Sequence, residues 1–173
     1  MTGFRRIVTG HDANGRSVVV SDAPSTDTMG SLINFWSIDS VPAGINAPDP
    51  SIPGSPMGLE PPPAGVKFRF FQIQPDKAFE GLSREDLWEM TRQRFVEMGA
   101  EHALVDRERH PAMHKTQTVD FIILLSGEIT LLLDEADVPM KPFDVVVQRG
   151  TNHAWVNTGD EVATLVAVLV GGG

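Results

Sequence analysis

Apolar and polar residues alternate along several short stretches of the chain, as they do in β-strands with one buried face. The clearest stretch runs from Val66 to Ile73, with the sequence VKFRFFQI. Alternation puts Phe68, Phe70 and Gln72 on one face of a strand, and the other face carries Lys67, Arg69, Phe71 and Ile73. The pattern therefore predicts a strand over the whole stretch.

From Ala112 onward the chain is a succession of similar β-rich stretches separated by turn residues. Further strands are predicted at Phe121 to Leu125, Ile129 to Leu133, Val145 to Val147, Ala154 to Val156 and Val162 to Val170. Turns are predicted at Ser126-Gly127, Asp134 to Asp137, Pro142, Arg149-Gly150 and Thr158-Gly159. Short strands at such regular spacing are typical of a β-sandwich or β-barrel.

One segment, from Ser83 to Met98, has the features of a stable helix. Ser83 is a candidate N-cap, because its hydroxyl can accept a hydrogen bond from the first turn. Glu85 and Asp86 follow in that turn, and Gly99 supplies a stop. The helix is amphipathic, so we expect it to cover an apolar surface rather than to bind a ligand itself.

The N-terminal part of the chain begins with a predicted hairpin. Its strands are Phe4 to Thr9 and Ser17 to Ser21, and Asn14-Gly15 between them tolerates the positive φ angles of a tight turn. A hairpin alone is marginally stable, so this one needs a surface to dock on.

Residues 22–65 are rich in proline, which interrupts helices and favours extended chain. Leu32 to Trp36 is a short predicted strand within them. We therefore divide the chain into an N-terminal hairpin and proline-rich arm, residues 1–65, and a β-barrel, residues 66–170, into which the helix 83–98 is inserted. The arm is either a loop or linker on its own subunit or a segment that lies across a partner subunit.

Composition narrows the classes of function. The 173 residues include 14 Lys and Arg and 23 Asp and Glu, giving a formal net charge of −9. A chain this acidic, with no basic stripe, repels phosphate backbones, so we expect no nucleic-acid binding. The chain has no cysteine, which excludes disulfides, thiolate metal sites and a cysteine nucleophile. No signal peptide or membrane-spanning stretch is evident, so we expect a cytoplasmic protein.

Residues able to carry chemistry are concentrated in two stretches, 110–120 and 148–157. Alternate residues of a strand share one face, which in the first stretch carries His114, Thr116, Thr118 and Asp120. Imidazole is a good ligand for Zn, Ni, Fe or Cu, and a carboxylate adds charge neutralisation. Two histidines and one carboxylate, with other positions open, is the arrangement of non-haem Fe(II) sites.

These two stretches resemble the paired motifs of the cupin superfamily. The first family motif runs G-x5-H-x-H, then three or four residues, then E-x6-G, and His114, Asp120 and Gly127 match it here. The second runs G-x5-P-x-G-x2-H-x3-N, and its end is matched by the run from Gly150 to His153 and by Asn157. The resemblance implies an all-β fold: a cupin-type antiparallel β-barrel, also called a double-stranded β-helix or jelly roll, with one added helix and an N-terminal hairpin arm.

The sequence departs from the family motifs at positions that matter for a metal site. Thr116 replaces the second histidine of the first motif, and Asp120 replaces its longer glutamate. Glu108 and Phe143 stand where the two motifs have their leading glycines.

The resemblance implies roles for five residues. His114 and His153 carry over as metal ligands, with Asp120 as a weaker third. Thr116 and Gln148 are the candidate catalytic residues, which would orient the substrate. The ion would be Fe, Zn, Ni or Mn, unless the loss of the second motif histidine has left the site without a metal.

The runs HKTQTVDFIILLSGEITLLLD and QRGTNHAWVN also resemble a narrower group of small single-domain cupins from bacteria and fungi. Some fungal members belong to secondary-metabolite clusters and are described as cupin-domain oxidoreductases. This resemblance implies, and does not demonstrate, redox chemistry.

The sequence leaves three hypotheses of function open. The first is a divalent-metal-dependent enzyme, of oxidoreductase, dioxygenase or lyase type, acting on a small organic substrate. The second is a metal-free small-molecule binder or isomerase with one histidine as general base. The third is a binding module without turnover, such as a sensor domain. In each case we expect a homodimer, with the hairpin or the arm pairing onto the partner.

Overall fold

The computed structural model describes residues 4–50 and 57–172, so residues 1–3 and 51–56 of the predicted arm lie outside it. The described strands are β1 (Arg5–His11), β2 (Ser17–Pro24), β3 (Thr28–Met29), β4 (Leu32–Ile38), β5 (Val66–Ile73), β6 (Thr118–Ser126), β7 (Ile129–Leu133), β8 (Asp137–Met140), β9 (Val145–Arg149), β10 (His153–Val156) and β11 (Ala163–Gly171). The α-helix is α1 (Arg84–Glu97), and short 3-10 helices cover Asp76–Phe79 and Glu101–Ala103.

The strands form three antiparallel sheets. The largest has six strands in the order β3-β4-β5-β11-β6-β9, the second has the order β10-β7-β8, and β1 and β2 form a separate hairpin. The predicted all-β fold is therefore confirmed. In the described part of the chain the strands lie in two main sheets rather than in one sheet closed on itself.

The main core lies between the six-stranded and the three-stranded sheet. Leu124 of β6 and Leu165 of β11 are fully buried there, and they belong to one cluster with Ile129 and Leu131 of β7. Strands β6 and β7 alternate between this core and the outside, which is why the period-two pattern of the sequence located them.

The predicted helix is confirmed, including its cap. The Ser83 side chain accepts a hydrogen bond from Asp86 N at 3.1 Å, and the Asp86 carboxylate accepts one from Ser83 N at 2.9 Å. The helix buries Phe95 in a second apolar cluster with Leu32 and Met98. No helix among the described residues is long and apolar enough to cross a membrane.

The predicted arm contributes to the sheet of its own chain. Strand β4 pairs with β5, and Ile33 lies opposite Phe70. Leu32, Ile33 and Phe35 are buried, and the ring of Phe4, next to the hairpin, meets that of Phe70 edge-on at 4.6 Å. The apolar cluster of the arm is therefore covered without a partner subunit.

Two strands escaped the sequence pattern, β8 and the two-residue β3. The segment from Asp134 to Asp137 was predicted as a turn with no strand after it, whereas β8 (Asp137–Met140) follows directly. Strand β8 lies at the end of the three-stranded sheet, where the missing N–H of Pro139 breaks no ladder.

Phe143 stands where the family motif has a glycine. Its backbone is left-handed, which explains why the motif has a glycine there. Its φ is 75°, and its side chain is 78% exposed. This conformation costs a residue with a Cβ roughly 1–2 kcal/mol, and an exposed ring recovers little of that by packing.

We therefore expect Phe143→Gly to raise the free energy of unfolding, measured by urea denaturation. The matched control is Phe143→Ala, which removes the ring but keeps the Cβ. The free energy of unfolding of Phe143→Gly should exceed that of Phe143→Ala by about 1 kcal/mol. The relief of the backbone strain outweighs the entropy that glycine adds to the unfolded chain. Equal stability of the two variants would show that the backbone at this position is not strained.

Candidate functional site

A cavity of about 280 Å³ opens beside the main core. Phe71 and Ile122 of the six-stranded sheet, Trp155 of the three-stranded sheet and Phe95 of α1 form apolar parts of its wall. The volume lies near the lower end of the roughly 300–1,000 Å³ typical of small-molecule pockets. The helix expected only to cover an apolar surface thus also lines the cavity.

Four of the five residues predicted for the site line this cavity: His114, Thr116, Asp120 and His153. The fifth, Gln148, is buried on β9 opposite Asp120 but is not among the lining residues. Its side-chain amide instead donates to the carbonyl of Thr151 at 3.1 Å and to the Thr151 hydroxyl.

The two histidines are brought together by the backbone. His114 N donates to His153 O, and His153 N donates to His114 O, each at 2.9 Å. The centroids of the two imidazole rings lie 4.2 Å apart, with their planes inclined at 47°. The ring of Phe95 meets that of His114 edge-on at 5.0 Å and limits its movement.

Both histidines have the same tautomer. Nδ1 of His114 donates to Ala112 O, and Nδ1 of His153 donates to Thr151 O, each at 2.9 Å. A carbonyl oxygen can only accept, so in the neutral ring the lone pair is on Nε2. A backbone carbonyl on one ring nitrogen is the usual device that prepares the other nitrogen as a metal ligand or a base.

Burial keeps both rings neutral. It lowers the pKa of His114, and it lowers that of His153 to about 3, with the charge of a protonated His114 as the second cause. A neutral imidazole is the form that binds a metal ion.

Among the described residues, Asp120 is the only carboxylate that lines the cavity, and it is 5% exposed. Burial raises its pKa to about 6, against the opposing effects of the Thr118 hydroxyl and the Arg69 charge. Its Oδ1 has no hydrogen-bond partner in the part of the chain that the structure describes. Next to it, the hydroxyls of Thr116 and Thr118 share a hydrogen bond of 2.7 Å.

The described residues contain no group of three or more His, Cys, Asp or Glu side chains arranged to hold a metal ion. Within the described residues, the histidine pair is the part of the cavity whose side chains could contribute to a metal site. The role of Asp120 as a third ligand stays a prediction.

Residues 100–169 match the family model described as "Cupin domain". This segment is a cupin domain. The predicted family is thus confirmed for this segment.

Curated relatives match a shorter part of the chain. Phomopsin biosynthesis cluster protein C' of Diaporthe leptostromiformis is 50% identical over 46 residues, which cover 26% of this chain and 24% of the relative. The cupin-domain-containing oxidoreductase srdD of Neurospora crassa is 41% identical over 46 residues, covering the same shares. The chain thus spans about a quarter of the length of these curated relatives.

Among solved structures, a Cupin 2 conserved barrel domain protein from Salinispora arenicola is similar to this chain. The two are 19% identical, the match covers 72% of this chain and 71% of the other, and the TM-score is 0.39.

Two further residues of the cupin motifs have structural roles. Gly127 has a φ of 83°, and a Cβ there would lie 2.6 Å from Ala163 Cα, so only glycine fits. Asn157 is fully buried, and its amide donates to the carbonyls of Ile73 and Glu161, each at 2.9 Å. Asn157 therefore fixes a turn and is not one of the described residues that line the cavity.

Sequence reasoning missed Arg69 and Arg94 as residues of the site. Both line the cavity, Arg69 from β5 and Arg94 from α1. The signal was present for Arg69, which shares a strand face with Phe71 and Ile73 and so had to point where those apolar side chains point.

The lowered pKa of His153 makes the stability of metal-free protein depend on pH. Between its ordinary pKa of 6.5 and about 3, the unfolded state binds a proton that the folded state does not. The free energy of unfolding should therefore fall as pH falls below 6.5. Between pH 7.5 and pH 5, the free energy of unfolding of His153→Gln should fall by about 1–2 kcal/mol less than that of the wild type, measured by urea denaturation.

The matched control is His102→Gln, at a side chain that is 63% exposed. Asp120→Asn should act in the opposite direction and increase the loss of stability at low pH. The raised pKa of the Asp120 carboxyl stabilises the folded state as pH falls toward 3.8, and the variant lacks this contribution. A His153→Gln protein with the pH dependence of the wild type would contradict the neutral, buried imidazole.

Proposed function

We propose that this cupin domain binds a divalent metal ion on His114 and His153 and acts on a small organic molecule in the cavity. The observation that carries the proposal is the pair of neutral imidazoles, each with Nδ1 held by a carbonyl and both facing one cavity. Such a donor pair fits Fe, Zn, Ni or Mn, and the remaining coordination positions are left to water and substrate.

Bound there, the ion would supply Lewis-acid or redox chemistry of the oxidoreductase, dioxygenase or lyase type. The other residues of the chain would provide binding and proton handling. Phe71, Phe95 and Trp155 exclude water from the bound molecule, and the Thr116 hydroxyl can orient a polar substrate atom. With a pKa of about 6, Asp120 can hold or release a proton near neutral pH.

The name of the Neurospora crassa relative supports the oxidoreductase form of the proposal. The Diaporthe relative is named for a biosynthesis cluster, which supports a small organic substrate. Because each match spans about a quarter of the relative, neither name assigns a reaction to this chain.

A second candidate function is metal-free binding or isomerisation, with one histidine as general base. It is favoured by the lack of a third metal-ligating side chain beside the pair among the described residues. His114 or His153 would then use its Nε2 lone pair to accept a proton from the bound molecule.

Elemental analysis of untagged protein grown with each candidate metal separates the two functions. We expect about one metal ion per chain in the wild type, and His114→Ala or His153→Ala should remove most of it. Thr116→Ala should have little effect, and His11→Ala, in the exposed hairpin, serves as the surface control. Wild-type protein without metal after supplemented growth would favour the metal-free function.

We also propose that the chain forms a homodimer through the outer face of β6 and β9. Phe121, Val145 and Val147 are 47%, 62% and 52% exposed there, and Phe121 lies directly opposite Val147. Strand β9 is the end strand of its sheet. Apolar side chains on a sheet edge are commonly covered by a second chain.

Light scattering at micromolar concentration should give twice the chain mass of 18.8 kDa. Val147→Glu should reduce the mass to that of one chain, because it places a charge in the proposed interface. The matched variant is Val19→Glu on the exposed hairpin, which should stay dimeric. A monomeric wild type would refute the dimer, and a monomer produced by Val19→Glu alone would move the interface to the hairpin.

A further inference from the structure

Arg69 is a buried cation with unused hydrogen-bonding capacity. It is 2% exposed and lines the cavity. Its Nη2 donates to Gly58 O at 2.9 Å, whereas Nε and Nη1 have no hydrogen-bond partner among the described residues. No carboxylate of the described residues forms an ion pair with it, and Asp120 and Asp27 act on its charge only from beyond ion-pair distance. Most of its N–H donors are therefore free to meet a ligand.

An unpaired guanidinium is costly to bury, because it loses the hydration of a full charge. Burial lowers the pKa of Arg69 to about 10, so the group is still charged at neutral pH. In folded proteins such a charge is normally paired, and within the described part of the chain this one has no counter-ion in contact. An anion entering the cavity would supply it.

The other charges of the cavity also favour an anion. Arg94 is a second cation in the wall, where it donates to Ser31 Oγ at 2.7 Å. Asp120 is the one acidic lining residue, and both histidines are neutral. The described lining is thus net positive, although the whole chain has a formal charge of −9.

Apolar surface makes up the rest of the cavity. Phe71, Phe79, Phe95 and Trp155 contribute aromatic rings to its wall. An inorganic anion would leave these rings uncovered, whereas an organic acid with an apolar body would cover them. The guanidinium fork matches the planar carboxylate in shape.

We propose that the cavity binds a small apolar carboxylic acid, with its carboxylate on Arg69 and its body against the aromatic wall. This inference deepens the proposed function, since it names the substrate class of the same cavity. Arg69 is then a substrate-binding residue of this cavity.

The test is isothermal titration calorimetry with benzoate, with its neutral analogue benzamide and with inorganic phosphate. Wild-type protein should bind benzoate at least about tenfold more tightly than benzamide, because only the anion meets the guanidinium charge. Phosphate should not displace benzoate. These comparisons need no variant, so a protein that fails to fold after substitution does not affect them.

The matching variant is Arg69→Met, which keeps the length of the side chain and leaves Gly58 O its second donor, Lys67 Nζ at 2.6 Å. It should weaken benzoate binding by at least about tenfold and benzamide binding by less than about twofold. The control is Arg92→Met, on α1 outside the cavity lining, which should bind both probes like the wild type. Unfolding curves confirm that each variant is folded.

The same titrations on metal-stripped, desalted protein separate this inference from the proposed metal site. Benzoate binding that survives stripping and needs Arg69 supports the inference, whatever the metal content of the protein. Benzoate binding that is lost on stripping and unchanged in Arg69→Met would place the carboxylate on the metal ion and overturn it. Equal binding of benzoate and benzamide, or displacement by phosphate, would overturn it as well.

Discussion

Two backbone hydrogen bonds between His114 and His153 determine the geometry of the cavity. His114 lies shortly before β6 of the six-stranded sheet, and His153 opens β10 of the three-stranded sheet, so the bridge joins the two sheets. It also sets the 4.2 Å separation of the rings, while the backbone carbonyls that bind Nδ1 fix the tautomers. Because the backbone positions both residues, replacing either side chain changes the chemistry of the site without removing the bridge.

Sequence alone located most of the fold and part of the site. Strand β5 has the predicted limits, the helix begins at its predicted cap, and the period of two placed His114, Thr116 and Asp120 toward one cavity. Periodicity gives the direction of a side chain, but not its distance from side chains on other strands. Whether Asp120 could join the two histidines therefore could not be read from spacing.

The residues that sequence reasoning misread were governed by tertiary context. Asp134 to Asp137 was predicted as a turn with no strand after it, but β8 follows there, and its edge position removes the penalty for the missing N–H of Pro139. Gln148 was expected to orient a substrate, yet its amide is occupied by Thr151. The inward direction of Arg69 followed from the pattern, whereas its lack of a counter-ion is visible only when its neighbours on other segments are known.

The negative charge of the chain does not oppose an anionic ligand in the cavity. At physiological ionic strength, exposed charges farther away than about 8 Å are largely screened. Arg69 is 2% exposed, so its charge acts through a medium of much lower effective dielectric constant than water. The interaction that decides which ligand enters is therefore local, and it involves two arginines, a carboxyl with a pKa of about 6 and two neutral imidazoles. An acidic surface and an anion-binding cavity are compatible in one domain because solvent screens the surface charges from the cavity.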